Sequence, residues 1–129
     1  GEEMYKFING FAGVRYRNKW GFINTKGDKI TDFEFEKVKP FNEGFAGVKK
    51  TRWGFINTKG KLVISEKYAD VKSFNGGMAL VSTNDKYINF GGEEYVTSGG
   101  WVDRRPNDYK YTTKVAGYID CNGNEFWED

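Results

Sequence analysis

The block WGFINTKG runs from Trp20 to Gly27 and returns unchanged from Trp53 to Gly60, 33 residues later. GFAGV does the same at Gly10–Val14 and Gly44–Val48. Two identical blocks in the same order mark tandem structural units. A unit this short cannot bury its own apolar face, so each must lean on a neighbour. That single requirement rules out most folds open to 129 residues.

The repeat opens with Phe-x-x-Gly-(Phe/Met)-Ala-x-Val, at Phe7–Val14, Phe41–Val48 and Phe74–Val81. A short charged turn follows, then Trp-Gly-Phe-Ile-Asn and Thr-Lys-Gly. Each copy closes on an aromatic and a valine: Phe35 and Val38, then Tyr68 and Val71. The spacing predicts three-stranded meanders, with strands near Phe45–Lys49, Trp53–Asn57 and Lys61–Ser65. Trp53 and Phe55 alternate with Gly54 and Ile56 across the second strand. Asn57-Thr58-Lys59-Gly60 reads as a hairpin loop, with Asn57 bonding its own turn and Gly60 supplying a left-handed residue. Glu66–Val71 reads as an irregular link or a single helical turn. Seventeen glycines disfavour helix, and 18% aromatic content argues for a folded chain.

The third copy degrades. Asp85-Lys86 stands where Trp-Gly should, and Tyr87–Gly92 reads as the restored strand and turn. Gly117–Gly123 aligns with Gly54–Gly60 as a terminal half-copy. Thr97–Thr113 has no counterpart. One domain is expected over 1–129, with repeat 1 at 7–40 and repeat 2 at 41–73. A degenerate repeat 3, with an insertion and the half-copy, occupies 74–129.

These residues resemble the WG-repeat family, also called KWG repeats, which occurs in tandem in many bacterial proteins. The shared pattern is Phe-x-x-Gly-x-Ala-x-Val, Trp-Gly-(Phe/Tyr)-Ile, Gly, then (Tyr/Phe)-x-x-Val. The resemblance covers most of the chain outside Thr97–Thr113 and transfers no catalytic residue. The expected fold is all-β: meanders of about 33 residues stacked as a curved array, with a closed barrel or trefoil-like arrangement as the alternative.

Candidate chemistry is sparse. The chain has no histidine, so nucleophile–histidine arrangements are absent, and its one cysteine, Cys121, falls at a turn position. Zinc and most transition metals lack ligands. Asp120–Glu125 resembles a calcium loop but carries its glycine too early, and the turn alignment explains the same residues. Glu93, Glu94, Asp103, Asp108 and Asp120 form no distinguished acid–base pair. No enzyme activity and no cofactor are expected.

Twenty basic residues against 18 acidic leave a net charge of +2, too balanced to imply nucleic acid. Lys49, Lys50, Arg52, Lys59 and Lys61 read as solvated turn charges at the tips of copy two. No apolar run reaches the length of a membrane span. The chain opens on Gly1 and reads as an excised or processed form, which leaves cytoplasmic and exported locations equally open.

Trp20 and Trp53 recur at the period and are expected in the core, with Gly21 and Gly54 admitting a close neighbour. Trp101, Arg104, Arg105, Tyr109 and Tyr111 lie in the segment that the architecture does not demand. They are the candidate binding residues, for aromatics and arginine dominate interface hot spots. A second role for that segment is capping the end of the array. The expected function is a non-catalytic scaffold for a protein or peptide partner. The alternative is a carbohydrate or cell-wall module stacking sugars on exposed rings.

Overall fold

The computed structural model describes residues 3–83 and 116–127 with their side chains, and the backbone of 87–90, 93–96 and 109–112. Among the described residues the fold is all-β, with no helix and no closed barrel. Three sheets form the repeat body. The first orders β1 (Glu3–Met4), β2 (Phe11–Tyr16) and β3 (Lys19–Asn24). The second orders β4 (Lys37–Val38), β5 (Phe45–Lys49), β6 (Trp53–Asn57) and β7 (Leu62–Tyr68).

The third body sheet begins with β8 (Asp70–Val71) and β9 (Met78–Ser82). The chain then leaves to form a separate antiparallel sheet from β10 (Tyr87–Phe90), β11 (Glu93–Val96) and β12 (Tyr109–Thr112), ordered β11-β10-β12. It returns as β13 (Ala116–Asp120) and β14 (Glu125–Trp127), giving the order β14-β13-β9-β8.

The β5–β6–β7 meander stands as the repeat implies, with β5 and β6 at the expected bounds. Two features differ from the sequence reading. Glu66–Val71 is neither a loose link nor a helical turn: it finishes β7 and supplies β8. The closing valines also serve the following copy. Val38 pairs Val48 and Val71 pairs Val81, as Met4 pairs Val14, so each copy ends by laying the first strand of the next sheet.

Copy three also departs from the sequence expectation. Its Trp-Gly strand is β13, not Tyr87–Phe90: Gly117 pairs Val81, as Gly54 pairs Val48 and Gly21 pairs Val14. The terminal half-copy therefore completes the third unit, and Gly123 rather than Gly92 is its turn glycine. Backbone crowding dictates the choice. A Cβ at Gly21, Gly54 or Gly117 would lie 2.7, 2.4 or 2.7 Å from the carbonyl oxygen of Asp32, Ile64 or Phe126. Only glycine admits that approach, and the position before Tyr87 is Lys86.

Strand alternation sends the two faces of β6 into different cores. Trp53 and Phe55 join Ile64, Tyr68, Val71 and Phe74 between the second and third sheets. Ile56 joins Trp20, Phe22, Phe35, Phe41 and Val48 between the first and second. The middle sheet is covered on both faces, as stacked repeats require. The two tryptophans occupy equivalent sites and are 7% and 5% exposed. Each lies against the glycine of the adjacent strand, with ring carbons 3.6 Å from a Cβ built at Gly13 and 3.5 Å from one at Gly47.

Turns repeat as faithfully as strands. Asn24, Asn57 and Asp120 each accept two backbone amides of their own loop at 2.9–3.0 Å. Gly27, Gly60 and Gly123 close those loops at φ near +80°. A further turn precedes β2, β5 and β9: Asn9-Gly10, Glu43-Gly44 and Gly76-Gly77 all have positive φ, the requirement of a two-residue type I′ hairpin. These turns staple unit to unit. Asn9 Nδ2 donates to the Phe41 carbonyl at 2.8 Å, and Asn42 Nδ2 to that of Phe74 at 2.5 Å. The Glu43 carboxylate accepts the amides of Gly76 and Gly77 at 2.6 and 2.8 Å.

Candidate functional site

The candidate residues from the sequence divide. Trp101, Arg104 and Arg105 lie outside the described residues. Tyr109 and Tyr111 stand on β12, two residues apart and so on one face of that strand, paired with Phe90 and Ile88. The segment carrying them fills the place of the hairpin that would join β9 to β13.

The basic cluster of copy two is split. Lys49, Lys50 and Arg52 sit at the β5–β6 turn, and Lys59 and Lys61 at the opposite end of β6. Lys50 pairs with Glu34 at 2.7 Å, which holds its ammonium above the usual lysine range. Arg52 donates to the carbonyls of Lys67 and Thr83, each at 3.3 Å. Asp120 spends its carboxylate inside its own turn, on the Asn122 and Asn124 amides and the Asn124 side chain. Those bonds, the Asn124 side chain first, hold its carboxyl below the usual carboxylate value. Cys121 is exposed.

The largest groove described holds about 630 Å³ and follows the β4 edge, between the rims of Trp20 and Trp53. Strand β4 reaches this edge because Val38 is buried against Gly13, which leaves Lys37 outward. Most charges here are neutralised. Lys19 pairs with Glu36, whose carboxyl is lowered by that contact. Lys39 crosses the Trp53 ring at 4.9 Å, bonds the Val71 carbonyl and lies 3.4 Å from Asp70.

Lys37 and Lys49 differ. They are direct cross-strand partners and so project from one face, and neither makes an ion pair with another described residue. Like charges directly opposite destabilise a sheet. In the first sheet the same two positions hold Glu3 and Arg15, joined by an ion pair of 2.5 Å. In the third they hold Asp70 and Ser82. Only the second sheet sets two cations there, and it does so beside the groove. The sequence carries a signal for this in the alignment of Glu3, Lys37 and Asp70, but the partner across the sheet is set only by the forward pairing of the closing valines.

A smaller groove of about 370 Å³ lies between the Ile30–Phe35 segment and β7. One oxygen of Glu66 is buried there with no hydrogen-bond partner among the described residues. No group of three His, Cys, Asp or Glu among the described residues could hold a metal ion, and no described helix could cross a membrane.

A family model described as WG containing repeat matches residues 2–20, 20–51 and 53–87. No curated protein and no solved structure matches the chain.

Proposed function

The chain belongs to the family of WG containing repeats, and on that premise we propose that it is a non-catalytic scaffold that binds an acidic segment of a partner protein along the β4 edge. The observation that carries this reading is the cross-strand Lys37–Lys49 pair, neither of which makes an ion pair with a described residue, beside a 630 Å³ groove. An arrangement that costs stability in the free protein is relieved when carboxylates arrive. The sugar-stacking alternative would use Trp101, Tyr109 and Tyr111, whose side chains lie outside the described residues; Trp20 and Trp53, at 7% and 5% exposure, belong to the core. A chain without histidine also has little means of acid–base catalysis near neutrality.

Fluorescence anisotropy of a labelled decaglutamate peptide tests the proposal. Binding that weakens with salt and drops about tenfold in Lys37→Glu, a change of about 1.4 kcal/mol, is the expected result. The same substitution places opposite charges across the strand pair, so stability rises by about 0.5 kcal/mol. Lost binding in a more stable protein separates a lost site from a lost fold. A peptide that binds both proteins equally, or neither, overturns the reading.

A further inference from the structure

Among the described residues, the first and third sheets each present one half of an interface that the molecule builds twice internally. Phe41 sits 4.3 Å from Phe11 and 4.8 Å from Phe22, ring centre to ring centre. Phe74 sits 4.8 Å from Phe45 and 4.9 Å from Phe55. In both cases a phenylalanine shortly before the type I′ turn enters the preceding sheet between the first residue of β2 or β5 and the aromatic two residues beyond its tryptophan. Both inserted rings are buried.

The third instance of each half is left over. Phe7 is aligned with Phe41 and Phe74, has no preceding sheet among the described residues, and is 41% exposed. Met78 and Tyr118 are aligned with Phe45 and Phe55 on the outer face of the third sheet, where Tyr118 pairs across to Phe126. Tyr118 is 42% exposed and Phe126 51%, although Phe55 at the same place is fully buried. One arm of the staple between the second and third units recurs, while Gly76 stands in place of Glu43: Asn75 is aligned with Asn42 and exposed, with no hydrogen-bond partner through its side chain among the described residues.

We propose that this chain associates head to tail with a second copy of itself, Phe7 of one molecule seating between Met78 and Tyr118 of the next. Asn75 donates to the Phe7 carbonyl as Asn42 does to that of Phe74. Met4 is aligned with the buried Val38 and Val71, which seat against Gly13 and Gly47; here Leu80 holds the glycine position, and the longer Met4 side chain lies beside it. The contact is heterologous, so each addition leaves a free end and growth is open.

Sedimentation velocity across the micromolar to millimolar range tests it. The average mass of the unmodified chain rises with concentration and reaches no plateau. Phe7→Asp and Tyr118→Asp, both at exposed positions, are each monomeric and retain the unmodified circular dichroism. Mixed in equal amounts they form a dimer and nothing larger, since each supplies the face that the other lacks. Asn75→Ala reads the same contact with no demand on packing, and weakens association severalfold. A chain that stays monomeric throughout overturns the proposal. So does a dimer of fixed size that survives either aspartate variant, or association unmoved by Asn75→Ala.

Discussion

The second and third sheets have one strand register and two ways of filling it. In the second, Trp53 follows the turn and its ring lies over Gly47. In the third, Ala116 takes the tryptophan position and Leu80 the glycine position. A large residue and a vacancy have exchanged places, so the volume is restored from the opposite strand. The exchange is imperfect. A cavity of about 70 Å³ remains beside Leu80 and Ala116, and the buried Ser82 hydroxyl on it has no hydrogen-bond partner among the described residues. What the pair of sheets teaches is that the glycine of the Trp-Gly strand is the fixed requirement, and the tryptophan is not. Gly117 persists where its tryptophan has gone.

The comparison breaks hardest at Trp53. Trp53→Ala has no leucine across the sheet to refill the space and costs about 3–5 kcal/mol in urea denaturation. Gly54→Ala is next, at about 3 kcal/mol, because the new Cβ meets backbone at 2.4 Å and 3.0 Å; Gly117→Ala shows the same sign in the sheet without tryptophan. If Gly117→Ala were neutral, the fixed-glycine argument would fail. The exchange itself is read by a double-mutant cycle. Ala116→Trp alone overpacks and Leu80→Gly alone opens a cavity, and the double variant recovers about 1–3 kcal/mol of their summed cost. Additivity within error would mean the two positions are unrelated.

A gentler probe is the contact where the two sheets meet. Tyr68 of the second donates its hydroxyl to Glu125 of the third, and Lys67 lies 3.3 Å from the same carboxylate. Burial, then the Glu125 bond, pushes the Tyr68 phenol well above its ordinary value. The tyrosine bond, with Lys67, holds Glu125 below its own. The signs follow. Glu125 contributes stability above the usual carboxylate pKa near 4.3, and that contribution is lost as pH falls through its lower folded value. Tyr68 contributes fully below about pH 10, and its share is lost as pH rises toward the raised folded value. Glu125→Gln therefore costs about 1 kcal/mol at pH 7, and the deficit against the unmodified chain closes in acid. Melting curves at pH 3, 5, 7 and 10.5 read both limbs. Of similar size and opposite sign is Ser82→Ala, a gain of about 1 kcal/mol from removing a buried hydroxyl that has no partner among the described residues.

Sequence carried the fold where chemistry is local. Asn57 and Gly60 specify their own loop, and Trp53-Gly54 specifies a strand that something approaches closely. Two things were not local. Val38 and Val71 look like endings because they follow the aromatic of their own copy, yet two residues cannot declare which sheet they pair with. Tyr87–Asn89 imitates Phe-Ile-Asn in side-chain type, and the missing glycine at Lys86 distinguishes it from Gly117–Asp120. The groove was illegible for the same reason as the valines: Lys37 and Lys49 are neighbours only through the forward pairing. The candidate residues Trp101, Arg104 and Arg105 stand outside the described structure, and their role is open to mutation.

Forward pairing also fixes where this protein can be cut. A boundary drawn at the sequence period, between Pro40 and Phe41, strands Lys37–Val38 on a fragment that offers them no partner and strips the next sheet of its margin. The period visible to the eye and the piece able to stand alone are out of phase by one short strand, so a viable excision begins ahead of Glu36.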